Sequence, residues 1–224
     1  MREKILDNRL SAVLSFVEEG DKVADIGSDH GYIPLYLIQN NICEKALVTD
    51  IKEGPLLSAK KNFERFGLGE FLCTMLYDGI DPEILKEYNK IIIAGMGGLT
   101  IAGILSKVKD ELITYRPSLI LQPMTEQDKL RKKLSRLGYR IVKEKCPKAR
   151  GGKLYNVIFA IYGDVEEYSE CEYALGKYSL CDDKENYINK LDLMIKTMEN
   201  AVIKGAKDKE ESLDILKKYR KELA

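Results

Sequence analysis

One histidine in 224 residues, five cysteines without a Cys-x-x-Cys pair, a net charge of zero and no apolar run of membrane-spanning length are the first constraints. A lone His30 and cysteines at positions 43, 73, 146, 171 and 181 give neither a zinc ligand set nor a complete disulfide framework, so no metal is expected and a reducing cytoplasm fits. Thirty-six basic residues balance thirty-six acidic ones, so any attraction to nucleic acid must be local, and no membrane partner is indicated. The opening MREKILDNRL carries charges where a signal peptide needs an apolar stretch. What is present is 45% hydrophobic residues, enough for one core and a small appendage.

Apolar residues at helical spacing from Ile5 and Leu6 to Val17 predict a first helix that stops near Gly20. Short β-rich runs then alternate with amphipathic stretches: KVADIG, a helix from Tyr32, KALVTD, a helix from Pro55 to Phe66, FLCTMLY, a short helix and KIIIAG. A helix after Gly98, the strand SLILQP and a helix from Thr125 to Leu137 follow. YRIVKEKC and LYNVIFAIY, joined through Arg150, Gly151 and Gly152, read as an antiparallel hairpin closing a parallel sheet. After Gly163 only helical, charged sequence remains, with apolar seams from Tyr187 to Val202 and from Leu213 to Leu223. The expected fold is α/β and Rossmann-like, mostly parallel, over residues 1–163, with a helical, coiled-coil-like hairpin over 164–224.

VADIGSDHGY turns from the first strand into a helix, and Asp50 ends the next strand 23 residues beyond Gly27. A carboxylate there suits ribose hydroxyls. The position of the second glycine in GxGxxG is held by Asp29, which would repel a dinucleotide's diphosphate but attract the sulfonium and ammonium of S-adenosylmethionine, as would Asp25. The methyl donor is therefore favoured over a nicotinamide dinucleotide, with helix capping as the competing role for Asp29. Gly27, Ser28, His30 and Gly31 complete the loop, and Ile51 adjoins Asp50. Asp78 and Gly79, after the third strand, are placed for the adenine edge. Gly95 and Met96 end the fourth strand on the cofactor side; Gly97 and Gly98 give a substrate backbone space, with a tightly packed turn as the alternative. Tyr32 or His30 is placed to stack on a base.

RLSAV, ADIGSDHGYIP, the GP of KEGPLLSA, YDGI, IAGMGG, LILQPM with LRKKL, and LYNVI together resemble the bacterial tRNA (adenine-22) N(1)-methyltransferase family over nearly the whole chain. The resemblance implies a class I S-adenosylmethionine-dependent enzyme with a helical C-terminal domain that methylates N(1) of adenine 22 in tRNA. It assigns Asp25, Gly27, His30 and Gly31 to the cofactor loop, Asp50 to the ribose and Asp78 to the adenine side. It puts Asp29 beside the transferring methyl and Gly95, Met96 and Gly97 where the base enters. Where relatives commonly read Tyr-Glu, this chain has Tyr155 and Asn156.

From Lys129 to Lys153 eleven basic residues face one acid, Glu144. Lys129, Lys132, Lys133 and Arg136 share a helix face opposite Leu130, Leu134 and Leu137, so a phosphate-binding stripe is expected there, extended by Lys148 and Arg150. The C-terminal hairpin carries fifteen acids and eleven bases; it fits a shape-reading tRNA contact or a second subunit, and the oligomeric state stays open. A noncatalytic RNA- or cofactor-binding adaptor is the remaining alternative to an enzyme.

Overall fold

A computed structural model describes residues 7–149 and 151–223 of the chain. Ile5, Leu6 and Arg150 lie outside the described residues. Seven strands form one sheet in the order β3-β2-β1-β4-β5-β7-β6. β1 (Val23–Ile26), β2 (Ala46–Asp50), β3 (Leu72–Leu76), β4 (Lys90–Met96) and β5 (Ser118–Pro123) are mutually parallel. β7 (Val157–Tyr162) inserts antiparallel between β5 and β6 (Tyr139–Lys145).

The strands read as continuous apolar runs because helices cover both faces. In β4, Ile91 and Ile93 pack with Ile101, Leu105, Leu112, Leu130 and Leu134 from α4 (Gly98–Lys107), α5 (Lys109–Tyr115) and α6 (Gln127–Arg136). Ile92, of opposite parity, packs with Val13, Ile33, Leu37 and Phe63 from α1 (Asn8–Leu14), α2 (Tyr32–Gln39) and α3 (Glu53–Arg65). Each of these buried isoleucines removes a full aliphatic side chain from water, about 1.5–3 kcal/mol apiece.

From β1 the chain winds outward through β2 to β3, then returns to β4 beside β1 and winds the other way to β5. The reversal lies between β1 and β4, and open α/β sheets bind ligands at the carboxyl ends of the strands at such a point. β6 is antiparallel to β7 and so runs with β5, which brings the loop after Lys145 to that same edge.

Three expected boundaries shift. The first helix is capped at Ser15 rather than reaching Gly20. The helix after Gly98 is two helices, interrupted at Val108. The last strand begins at Val157 and not at Leu154, which makes only an isolated bridge to Lys148, because Asn156 turns its side chain into the core instead.

After Tyr162 come α7 (Glu170–Leu175), α8 (Lys184–Ile203) and α9 (Glu210–Glu222). Ser169 and Glu172 close a reciprocal capping box that starts α7. Arg220 pairs with Asp192 and Lys217 with Glu199, both at 2.8 Å, and Tyr187 meets Tyr219, so late α9 lies beside early α8 in an antiparallel hairpin. Cys146, Cys171, Leu175, Cys181, Tyr187, Leu191 and Leu216 form a third apolar cluster there. No helix among the described residues is long and apolar enough to cross a membrane.

Candidate active site

β1 delivers Asp25 one residue before its end, beside Val48 of β2 and Ile92 of β4. The carboxyl is buried, and desolvation pushes its pKa up from 3.8 to about 6 despite a hydrogen bond from the Ser28 side chain. The loop then folds across the end of β2, where the Thr49 carbonyl accepts from both Gly27 N (2.8 Å) and Ser28 N (3.1 Å). Gly27 has φ +71°, and a Cβ there would stand 2.0 Å from the Met96 methyl. The positive φ favours glycine, and any side chain here would displace the Met96 methyl, so the loop after β1 lies against the end of β4.

Asp29 and His30 stand on the rim. Their side chains meet at 3.2 Å, and Asp29 is 79% exposed, free to approach a ligand. Helix capping does not explain Asp29: Gly31, at φ +66°, is the N-cap of α2, and no side chain caps it. Tyr32 opens that helix with its ring 5.2 Å from that of His30, whose backbone carbonyl accepts from Asn62 Nδ2.

Asp50 closes β2 next to Leu76 of β3. Its Oδ1 accepts from Lys52 N at 2.8 Å, so half of the carboxylate shapes the turn and Oδ2 is left for a ligand. Beside it Ile51 is 62% exposed, and Leu76 and Tyr77 are exposed as well. Apolar side chains facing solvent next to a ribose-type acid make a surface for a flat heterocycle. Asp78 extends the row, paired with Lys107 of α4 at 2.8 Å, and Gly79 (φ +93°) packs on Ile104.

At the end of β4, Gly95 is the extra residue of a bulge between the pairs Ala94–Gln122 and Met96–Pro123, with φ +83°. Its N–H donates to Gln122 Oε1 at 3.1 Å, and the same oxygen accepts from Arg9 Nη1 at 2.7 Å. Gly97 faces Thr125 and Glu126 side chains. Gly98 is different: a Cβ there would stand 2.3 Å from the Glu126 carbonyl, and its N–H donates to Thr125 O. The packed turn, rather than substrate access, accounts for this glycine.

Of the expected basic stripe Lys132 is engaged by a carboxylate of another element, and several cations around the stripe are engaged as well. Arg131 is fully buried on Glu144 (2.6 Å), Lys132 is held by Glu170 (2.8 Å) and lies over the Tyr173 ring, and Lys143 and Lys145 both approach Asp182. Glu170 and Asp182 of the C-terminal segment, which a local charge count misses, pair with the three lysines, whereas Arg131 is held by Glu144 of β6. Lys129, beside Asp128, and Arg136 remain exposed, and Lys133 is half-buried. α6 also runs from the site edge to the opposite one, so Arg136 lies at the far end, whereas Lys148 and Lys153 sit in the loop on the site edge.

Arg9 and Gln122 were not among the expected site residues. The visible signal for Gln122 is a polar residue ending the apolar run SLILQP; it is completely buried. Arg9 gives no local signal of a site role, because its one nearby partner is Asp7 and the groups it meets at the site, Gly95 and Gln122, are far off in sequence.

A parallel sheet with a reversal at β1/β4, acids at three successive strand ends and a glycine loop in which Asp29 stands against a diphosphate defines a methyltransferase-type nucleoside site. Residues 6–158 match the family model described as a methyltransferase domain. The tRNA (adenine(22)-N(1))-methyltransferase of Bacillus subtilis (strain 168) is 38% identical over 164 residues, 73% of this chain and 68% of that protein. A Streptococcus pneumoniae protein solved with S-adenosyl-L-methionine is 30% identical with a TM-score of 0.82, covering 97% of this chain and 99% of that one. TrmK of M. capricolum, solved with S-adenosyl-homocysteine, is 26% identical with a TM-score of 0.83, covering 97% and 98%. The chain belongs to the tRNA (adenine(22)-N(1))-methyltransferase family.

Proposed function

We infer that this protein transfers a methyl group from S-adenosylmethionine to N(1) of adenine 22 in tRNA. The observation that carries the reading is the row of carboxylates Asp25, Asp50 and Asp78 at the ends of neighbouring parallel strands, beside the β1/β4 reversal. These residues fit the donor: Asp25 and Asp29 suit its cationic end, Asp50 Oδ2 its ribose, and exposed Ile51 with Asp78 its adenine. Gly27, Ser28, His30, Gly31 and Gly79 shape the same loops, and Met96 lies over Gly27. The relatives' activity and bound ligands agree with this assignment.

When bound, the donor supplies a methyl carbon on a positively charged sulfur. Adenine N(1) carries a free lone pair, so no side chain has to remove a proton before attack, and the site's task is alignment and charge. Asp29 is placed to stabilise the positive charge that the adenine ring gains, through its exocyclic amino group. Gly95 and Gly97 leave backbone space for the base, and Tyr32 with His30 offers rings to stack on it once it leaves its pair. Lys129, Lys133 and Arg136, with Lys148 on the site edge, provide phosphate contacts.

Residues 1–163 are read as the catalytic domain and 164–224 as a helical domain that presents tRNA to it, supported by the sheet's end at Tyr162 and by an apolar cluster drawn mainly from the helices beyond it, with Cys146 and Leu154 joining from the first unit. The test is incubation with labelled donor and unmodified total tRNA, then mapping of the methylated nucleotide. Label at N(1) of adenine 22 is expected. No incorporation with protein in excess would favour an adaptor, and binding of NAD in place of the donor an oxidoreductase.

A further inference from the structure

We propose that Arg9 is a positioning residue for methyl transfer, acting through Gln122 to fix the bulged peptide of Gly95 at the threshold of the base. The proposal rests on the functional reading above only for the identity of that threshold. The bulge takes the Gly95 N–H out of the β4–β5 ladder, so its partner must come from a side chain or from solvent. Gln122 Oε1 supplies the acceptor at 3.1 Å. A primary amide can turn over and present NH2 instead, which would set donor against donor. Arg9 prevents this: a guanidinium only donates, and its Nη1 at 2.7 Å holds Oε1 toward itself and Gly95, while Gln122 Nε2 is engaged by the Pro123 carbonyl at 3.1 Å. The cation, with Asp7 Oδ2 at 3.6 Å from its Nε, thus acts on the strand end through one buried amide.

Four variants of the full chain test this: Arg9→Met, Arg9→Lys, Gln122→Met and the double methionine variant. Each is measured for single-turnover methyl transfer, donor and tRNA affinity, melting temperature and hydrogen exchange of the Gly95 amide. Arg9→Met is expected to slow transfer about 10- to 100-fold, the cost of a small misalignment. Donor and tRNA dissociation constants should stay within about threefold, and Gly95 exchange should quicken about three- to tenfold, the worth of one hydrogen bond. Arg9→Lys should regain most of the rate, and the double variant should be no slower than Gln122→Met. Additive losses, a rise in the tRNA dissociation constant that matches the lost rate, or unchanged Gly95 exchange in Arg9→Met would overturn the relay. Should the wild type fail to methylate tRNA, the functional reading falls, while the Gly95 exchange of Arg9→Met, a change at a surface-reaching side chain, still decides for or against the relay.

Discussion

Arg131 and Glu144 form a completely buried, two-pronged ion pair between α6 and β6, with Nη2–Oε2 at 2.6 Å and Nε–Oε1 at 3.2 Å. The guanidinium also donates to the carbonyls of Tyr173, Ala174 and Leu175, so one side chain of the sheet domain satisfies the C-terminal end of α7. Asn156 reinforces the seam: it donates to Leu175 O and accepts from Lys190 of α8. The helical segment is therefore anchored through polar groups that cannot be solvated when the partner is lost.

Removing one member of this pair leaves a buried charge without compensation. Arg131→Met and Glu144→Gln are each expected to lower unfolding free energy by about 3–5 kcal/mol. Arg131→Met paired with Glu144→Leu should cost less than either single change. Urea denaturation measures all three, and a loss under about 1 kcal/mol for Arg131→Met would refute the anchoring role.

Much of the sheet was legible because β4 and β5 are long apolar runs bounded by Gly and Pro, and parallel strands covered on both faces leave that signature. The acidic loop was legible for a related reason: Asp25 and Asp50 are charges at the ends of apolar strands, and Asp29 follows in the turn after the first of them. The pairing of cations on α6 was not legible, because Arg131 and Lys132 look like Lys129 and Arg136 in sequence. Only Glu144 and Glu170, 13 and 38 positions on, separate buried or paired cations from free ones. Arg9 stayed hidden for the same reason, since its acceptor is 113 residues away. Asp50 has one observed role, its Oδ1 accepting from Lys52 N in the turn.

Asp25 costs stability as a buried carboxylate. Its pKa lies above the unfolded value, near 6 against 3.8, so between pH 4 and 6 the folded state binds more protons and stability from this group falls as pH rises. Above pH 6 the full cost of the buried charge is present, about 3 kcal/mol at 1.36 kcal/mol per pKa unit. Asp25→Asn should stabilise the ligand-free protein at pH 7, by up to that amount, and make its melting temperature less dependent on pH from 4 to 6. Donor affinity of the wild type should rise from pH 5 to 7 as the carboxylate forms, and the variant should lose that rise. Calorimetric titration across this range tests both; a flat wild-type profile would remove Asp25 from the donor site.

Asp50→Asn separates the turn from the ligand. The Asn side-chain carbonyl still accepts from Lys52 N, so melting should change little. The amide replaces a charged acceptor for ribose hydroxyls by a neutral one, and a charge-assisted hydrogen bond is worth about 1.5–3 kcal/mol. The donor dissociation constant should therefore rise roughly 10-fold or more. Unchanged donor affinity with unchanged melting would assign Asp50 to the turn alone.

The cations of α6 divide into those held by the protein and those free for RNA, and charge reversal distinguishes them. Lys133 and Arg136 make no ion pair among the described residues, whereas Lys132 is bound to Glu170. Reversing Lys133 and Arg136 together to Glu should weaken tRNA binding and lower the magnitude of the slope of log affinity against log salt by about 1–2, as expected when two phosphate contacts are lost. Lys132→Ala should leave that slope within experimental error and instead loosen the contact between α6 and α7, seen as a lower melting temperature. If Lys132→Ala flattened the slope as much as the double reversal, its pairing with Glu170 would have to open in the complex. The C-terminal segment would then be displaced from α6 when tRNA binds, because the same ammonium cannot neutralise both the carboxylate and a phosphate at full strength.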